Sequence, residues 1–119
     1  MSQPTAIEIY TEMTPNPESL KFVTNRHILP NFQLDFRTRE MSEGSALART
    51  LFAIPFVNGV FVANNFVTIT KKAEYDWYEI TPELKESIKQ FLQSGQKPVD
   101  DALLPKEADV QVLGIDAQR

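Results

Sequence analysis

Apolar and polar residues alternate with a period of two over several short stretches of this chain, and with a period near 3.6 over two others. Ile7 and Ile9 alternate with Glu8 and Tyr10, Leu20 and Phe22 with Lys21 and Val23, and Phe32, Leu34 and Phe36 with Gln33, Asp35 and Arg37. Successive side chains of a strand point to opposite sides, so each stretch predicts a strand with one buried face. His27 and Pro30 fall in the loop expected before the third of them. Residues 57–63 and 66–71 are β-rich runs separated by Asn64-Asn65, two residues that tolerate positive φ and suit a tight hairpin. A two-residue turn there sets Ala63 opposite Phe66, Val62 opposite Val67, Phe61 opposite Thr68 and Val60 opposite Ile69. Val60, Val62, Val67 and Ile69 then form a β-branched face suited to a core, while Phe61, Phe66, Thr68 and Thr70 occupy the other side.

Helical spacing is confined to two segments. Leu47, Leu51 and Ile54 recur on one side, with Ala48 and Phe52 widening the apolar face; Ser42 or Ser45 serves as cap and Pro55 ends the run. Further on, Thr81 is a good cap and Pro82 a good first helical residue, after which Leu84, Ile88, Phe91 and Leu92 continue the pattern to Gly95. The order β-β-β-α-β-β-α predicts an α+β fold. Its architecture is a two-layer sandwich, a mainly antiparallel sheet of four or five strands with two helices on one face, and the other face is left open.

Between the first two strands lies Thr14-Pro15-Asn16-Pro17. Each proline locks its own φ and pushes the preceding residue toward an extended conformation, so the loop is preset rather than floppy. Asn16 can bond nearby backbone amides from between the prolines. From Gln96 the character changes: Lys97-Pro98, Asp100-Asp101, Pro105, Glu107 and Asp109 read as an acidic, proline-containing linker or tail. Residues 1–95 are therefore expected to be the domain and 96–119 the tail. Val110, Val112 and Leu113 partly resist that reading, and residues 116–119 resemble the start of a helix cut short.

Composition narrows the chemistry. With 119 residues, 42% of them hydrophobic, the chain can bury one small core. A net charge of −4 without a basic stripe gives no reason to expect nucleic acid or an anionic membrane as partner. No apolar run approaches the roughly 20 residues of a membrane-spanning helix, and residues 1–12 lack the pattern of a signal peptide, which makes the cytoplasm the default location. Cysteine is absent, which removes disulfides, thiol catalysis and thiolate metal ligands together.

Other candidate chemistry is sparse. His27 is the one histidine and has no clustered partner, so no metal site is assigned to it. Asp100 with Asp101, or Glu8 with Glu12 and Asp35, offer oxygen ligands for weak binding of a hard cation. Thr14, Ser19 and Ser45 lack a base to activate them and fit turns and caps better. Four glycines form no phosphate loop, and Gly59 reads as a concession of strand or turn geometry. No catalytic residue is assigned and no enzymatic activity is expected.

Taken together, four segments resemble the N-terminal domain of the NifU-like (Nfu) iron-sulfur cluster scaffold and carrier proteins. They are Thr14-Pro15-Asn16-Pro17 with Ser19-Leu20-Lys21-Phe22; Ser45-Ala46-Leu47-Ala48 leading to Leu51-Phe52-Ala53-Ile54-Pro55; Val57-Asn58-Gly59-Val60-Phe61; and Phe66-Val67-Thr68-Ile69-Thr70-Lys71 with Asp76-Trp77 after it. The likeness covers roughly residues 7–94. It implies a part in iron-sulfur cluster assembly or delivery, and a second domain whose Cys-x-x-Cys motif holds the cluster. This chain departs there, since clusters are ordinarily held by thiolates and it has none. The expectation is a non-catalytic domain that binds no cluster itself and docks iron-sulfur assembly or apo-target proteins while the cluster is held by a cysteine-bearing domain or partner. The alternatives are an independent carboxylate-based iron or other metal-binding protein, and a module that only stabilises or dimerises its carrier. Exposed aromatics on a sheet are candidate recognition anchors, so Phe61, Phe66, Thr68 and Tyr10, with Val23, are the expected docking face, and Asn16 on its stiff loop is a second candidate.

Overall fold

Hairpins build the sheet, and the tightest sits at its centre. The structure, a computed structural model, describes residues 6–100 and Leu103. Its strands are β1 (Ile9–Met13), β2 (Ser19–Thr24), β3 (Leu29–Phe36), β4 (Val57–Asn64) and β5 (Phe66–Lys71), with helices α1 (Ala46–Phe52) and α2 (Trp77–Gln93). Among the described residues the strands form one antiparallel sheet in the order β1-β2-β5-β4-β3. This is the expected α+β architecture with five strands and two main helices. The β4–β5 register pairs Ala63 with Phe66, Val62 with Val67, Phe61 with Thr68 and Val60 with Ile69, as a two-residue turn dictates. Asn64 takes the positive φ of that turn, at 40°.

The connection from β2 to the far edge strand β3 crosses directly over this turn. Thr24 and Ile28 donate their backbone N–H groups to the Asn65 and Asn64 carbonyls at 2.8 and 2.6 Å, and the Asn65 side-chain amide donates back to the Thr24 carbonyl at 3.1 Å. The turn's polar backbone is satisfied by the segment that passes over it, which ties the two ends of the sheet together. Pro30, expected in a loop, belongs to β3 instead. It lies where the β3–β4 register shifts between Leu29 and Gln33, beside Asn31 at φ 70°, and a bulge on an edge strand is a place where the missing N–H is tolerated.

One face of the sheet carries the core. Phe22 of β2, Phe36 of β3, Val60 and Val62 of β4 and Val67 and Ile69 of β5 are buried with Leu47 and Leu51 of α1 and Leu84 and Ile88 of α2. Ser45 caps α1, its hydroxyl accepting from the Ala48 amide at 3.0 Å, whereas Ser42 sits buried in a short 3-10 helix at Arg39–Gly44. Ile54 lies beyond the end of α1 rather than within it. The second helix begins earlier than expected: Asp76 caps it through the Tyr78 amide at 3.0 Å, and Pro82 lies inside. Asp76 as cap with Glu79 in the first turn is a local start signal upstream of Thr81-Pro82, and Trp77 of that turn packs against Phe22. Gly95, at φ 76°, closes the helix as anticipated.

The expected tail from Gln96 lies for the most part outside the described residues, including Val110, Val112, Leu113 and residues 116–119. Its described part packs on the domain. Val99 is buried with the core, and the Pro98 carbonyl accepts from the Ser45 hydroxyl at 2.7 Å and from the Leu47 amide at 3.2 Å. Leu103 occupies the space a side chain on Gly44 would need, 2.6 Å from where its Cβ would stand.

Candidate interaction surface

The face of the sheet turned away from α1 and α2 is laid out in cross-strand rows. One row runs Tyr10, Val23, Phe66, Ala63 and Gln33 across all five strands. The next runs Glu12, Lys21, Thr68, Phe61 and Asp35. Directly opposed side chains on one face of a sheet stand about 5 Å apart, so each row is a continuous strip of contacts. Phe61 and Phe66 lie diagonally, with ring centroids 6.2 Å apart and a 34° tilt. Val23 and Ala63 are buried between their neighbours, Phe61, Phe66 and Thr68 are half-buried, and Tyr10 is 55% exposed.

Charge is built into this surface. The Lys21 ammonium lies 4.2 Å from the centroid of the Phe66 ring and 3.5 Å from a Glu12 carboxylate oxygen. A cation over an aromatic face is attracted by the ring quadrupole, and Glu12 holds it there from the adjoining strand. Lys21 was not among the expected site residues; its place opposite the hairpin depends on the β2–β5 pairing, which no local pattern announces.

Asn16 stands apart from the rows, at one end of the face. Its side-chain oxygen accepts from the Glu18 amide at 2.9 Å, and its amide nitrogen donates to the Ser19 hydroxyl at 3.3 Å. The Ser19 hydroxyl lies 2.8 Å from that of Thr70 across the β2–β5 pair. The Thr14 hydroxyl donates to the Asn16 carbonyl at 2.9 Å, and Trp77 Nε1 donates to the Pro17 carbonyl at 3.0 Å. Glu18 adds an ion pair to the buried Lys71 at 3.1 Å. The loop is rigid because both prolines restrict it and side chains from β5 and α2 clamp it. Thr14, Ser19 and Ser45 thus act in turns and caps.

The carboxylates considered as cation ligands are not brought together. Glu8 and Glu12 belong to the β1 edge and Asp35 to β3 at the opposite edge, because three strands intervene. Glu12 is paired with Lys21, and Asp35 with Arg37 at 2.9 Å. Asp101 lies outside the described residues, and His27 is exposed in the β2–β3 connection. Among the described residues no group of three or more His, Cys, Asp or Glu side chains is placed to hold a metal ion. None of the described helices is long and apolar enough to cross a membrane.

Comparison with known proteins places this geometry. The family of scaffold protein Nfu/NifU N-terminal domains matches residues 9–95. The chain belongs to that family. It is 41% identical over 88 residues to the human mitochondrial NFU1 iron-sulfur cluster scaffold homolog, an alignment covering 73% of this chain and 35% of the human protein. It is also 32% identical over 115 residues to a NifU-like protein of Schizosaccharomyces pombe, covering 95% of this chain and 44% of that one. The chain therefore spans less than half the length of these relatives. Among solved structures, a NifU-like protein from Saccharomyces cerevisiae superposes with a TM-score of 0.69 at 25% identity, covering 83% of this chain and 89% of the yeast chain. The family model is that of a scaffold protein's N-terminal domain, and the human relative is named an iron-sulfur cluster scaffold homolog. One expectation is corrected: the human, Drosophila and Arabidopsis relatives are named as mitochondrial, which overturns the cytoplasmic default. That default rested on the absence of a secretory signal, and such an absence does not separate the cytoplasm from an organelle.

Proposed function

We propose that this Nfu N-terminal domain is a non-catalytic docking module in iron-sulfur cluster assembly or delivery. The cluster is cargo held elsewhere, on a cysteine-bearing domain or partner, because this chain has no thiolate and a single imidazole to offer. The observation that carries the reading is the strip of Phe61, Phe66, Thr68 and Tyr10 on the face of the sheet that no described helix covers. Half-buried aromatics on a rigid sheet lose little conformational freedom on binding and bury a large apolar area, which is the usual make-up of an interface anchor. Lys21 beside Phe66 adds a charge that selects among apolar partners. Asn16 serves the same surface from its end by holding the Met13-to-Ser19 connection in one shape, so that binding need not order it.

The test is a calorimetric titration of the chain with an iron-sulfur assembly protein carrying a cluster and, separately, with an apo-target. Docking predicts saturable binding that the paired changes Phe61→Ser and Phe66→Ser weaken while the folded spectrum is kept. Binding of the double variant as tight as that of the parent would sink the proposal. Stoichiometric iron on the purified chain, titrating with carboxylate-like affinity, would favour the metal-binding alternative instead.

A further inference from the structure

A second feature lies at the corner where β3, the end of α1 and the end of β5 meet. Arg37 and Thr38 after β3, Arg39 at the start of the 3-10 helix, Phe52 and Pro55 at the end of α1, Val57 of β4 and Lys72 line an open pocket of about 460 Å³. Three of the chain's 12 basic residues meet here on a protein whose net charge is −4. Arg39 and Lys72 are exposed and form no ion pair among the described residues; Arg37 is held by Asp35 at 2.9 Å. The Lys72 backbone is fixed by its N–H donating to the Phe56 carbonyl at 2.9 Å, so the lysine springs from an ordered position.

We propose that this pocket binds an acidic peptide segment of a partner protein, its carboxylates meeting Arg37, Arg39 and Lys72 and its apolar side chains meeting Phe52, Pro55 and Val57. Charge complementarity selects the occupant. Like charges gathered at one concavity of an acidic protein repel each other until an anion joins them, and arginine presents a fork that matches a carboxylate. The cavity's size and mixed lining favour a peptide over a lone anion: a water-sized guest needs only about 30 Å³, and Phe52, Pro55 and Val57 give a small hydrophilic ion nothing to gain. A smaller depression lined by Asp35, Arg37, Asn58, Phe61 and Thr68 adjoins it and shares Arg37 and Asn58, so an extended segment has a path leading from the pocket. Phe61 and Thr68 of the aromatic strip line only that adjoining depression, and the basic corner itself contains no residue of the strip.

The experiment is an NMR titration of the isotopically labelled 119-residue chain, followed at the amides of Arg37, Thr38, Arg39, Asn58 and Lys72. Three probes are used: a short synthetic peptide rich in Asp, Glu and Leu, its Asn and Gln counterpart, and inorganic phosphate. The acidic peptide is expected to shift these amides saturably and more weakly at high salt, with the amide counterpart and phosphate bound at least about tenfold less tightly. Arg39→Glu with Lys72→Glu is expected to abolish the shifts, and Asp35→Asn, which frees Arg37 from its intramolecular carboxylate, to tighten binding. Equal binding of the neutral peptide, phosphate as tight as the acidic peptide, an unaffected double reversal, or weaker binding by Asp35→Asn would each overturn the proposal. Because Asp35→Asn is a gain expected from a single isosteric change at an exposed site, the proposal remains testable if the double reversal does not fold.

Discussion

The two faces of one sheet are made by the same five strands, yet they have different partners. On one, Val60, Val62, Val67 and Ile69 disappear under α1 and α2. On the other, no described helix covers Phe61, Phe66, Thr68 and Tyr10, which flank the small residues Val23 and Ala63, with Lys21 over the Phe66 ring. On the covered face the buried side chains are β-branched in β4 and β5, with Phe22 and Phe36 on the flanking strands; the aromatics of the open face are partly wet and edged by Lys21, Glu12 and Asp35. Burial by helices rewards shape and volume, whereas an open face must stay compatible with water until something covers it. The difference between them separates residues that hold the fold from residues available to a partner.

The sharpest way to break that comparison is to truncate each face in turn. Ile69→Ala leaves a cavity beneath both helices and is expected to cost about 2–5 kcal/mol in chemical denaturation. Phe61→Ser with Phe66→Ser should weaken partner binding about tenfold or more, with a smaller loss of stability than Ile69→Ala. If the open-face pair melts earlier than Ile69→Ala and binds no worse, the faces are not different in kind. Trp77→Phe keeps the packing on Phe22 but removes the bond to the Pro17 carbonyl, for an expected loss of about 1 kcal/mol, seen with faster amide exchange in the Thr14-to-Ser19 loop. Smallest of all, Glu12→Gln breaks a half-exposed pair to Lys21 and should change the denaturation midpoint by less than about 0.5 kcal/mol; a larger drop would mean that the open face is itself stability-bearing.

Most of the fold was legible because its signals are local. Alternation marks the strands, Asn64-Asn65 sets the hairpin register, and that register alone assigns Val60, Val62, Val67 and Ile69 to one face and Phe61, Phe66 and Thr68 to the other. The start of α2 was ambiguous in the sequence, since Asp76 with Glu79 and Thr81-Pro82 are both local start signals and the upstream one is used. Pro30 read as loop because a proline in a strand is acceptable only at an edge or bulge, and which strand is an edge depends on the sheet order.

The sequence by itself determined the fold class, the strand registers on either side of a tight turn, the stiffness of the Thr14-to-Pro17 loop, and the lack of thiolates with which to hold a cluster. Each follows from backbone sterics or side-chain chemistry acting within a few residues. The tertiary structure decided the rest: that Tyr10 and Phe66 share a row, that Glu12 and Asp35 are kept at opposite edges, and that Arg37, Arg39 and Lys72 meet at one corner. Those arrangements depend on which strands become neighbours. Strand order is set by burying the helix-facing residues together, a condition on the whole chain that no short segment contains.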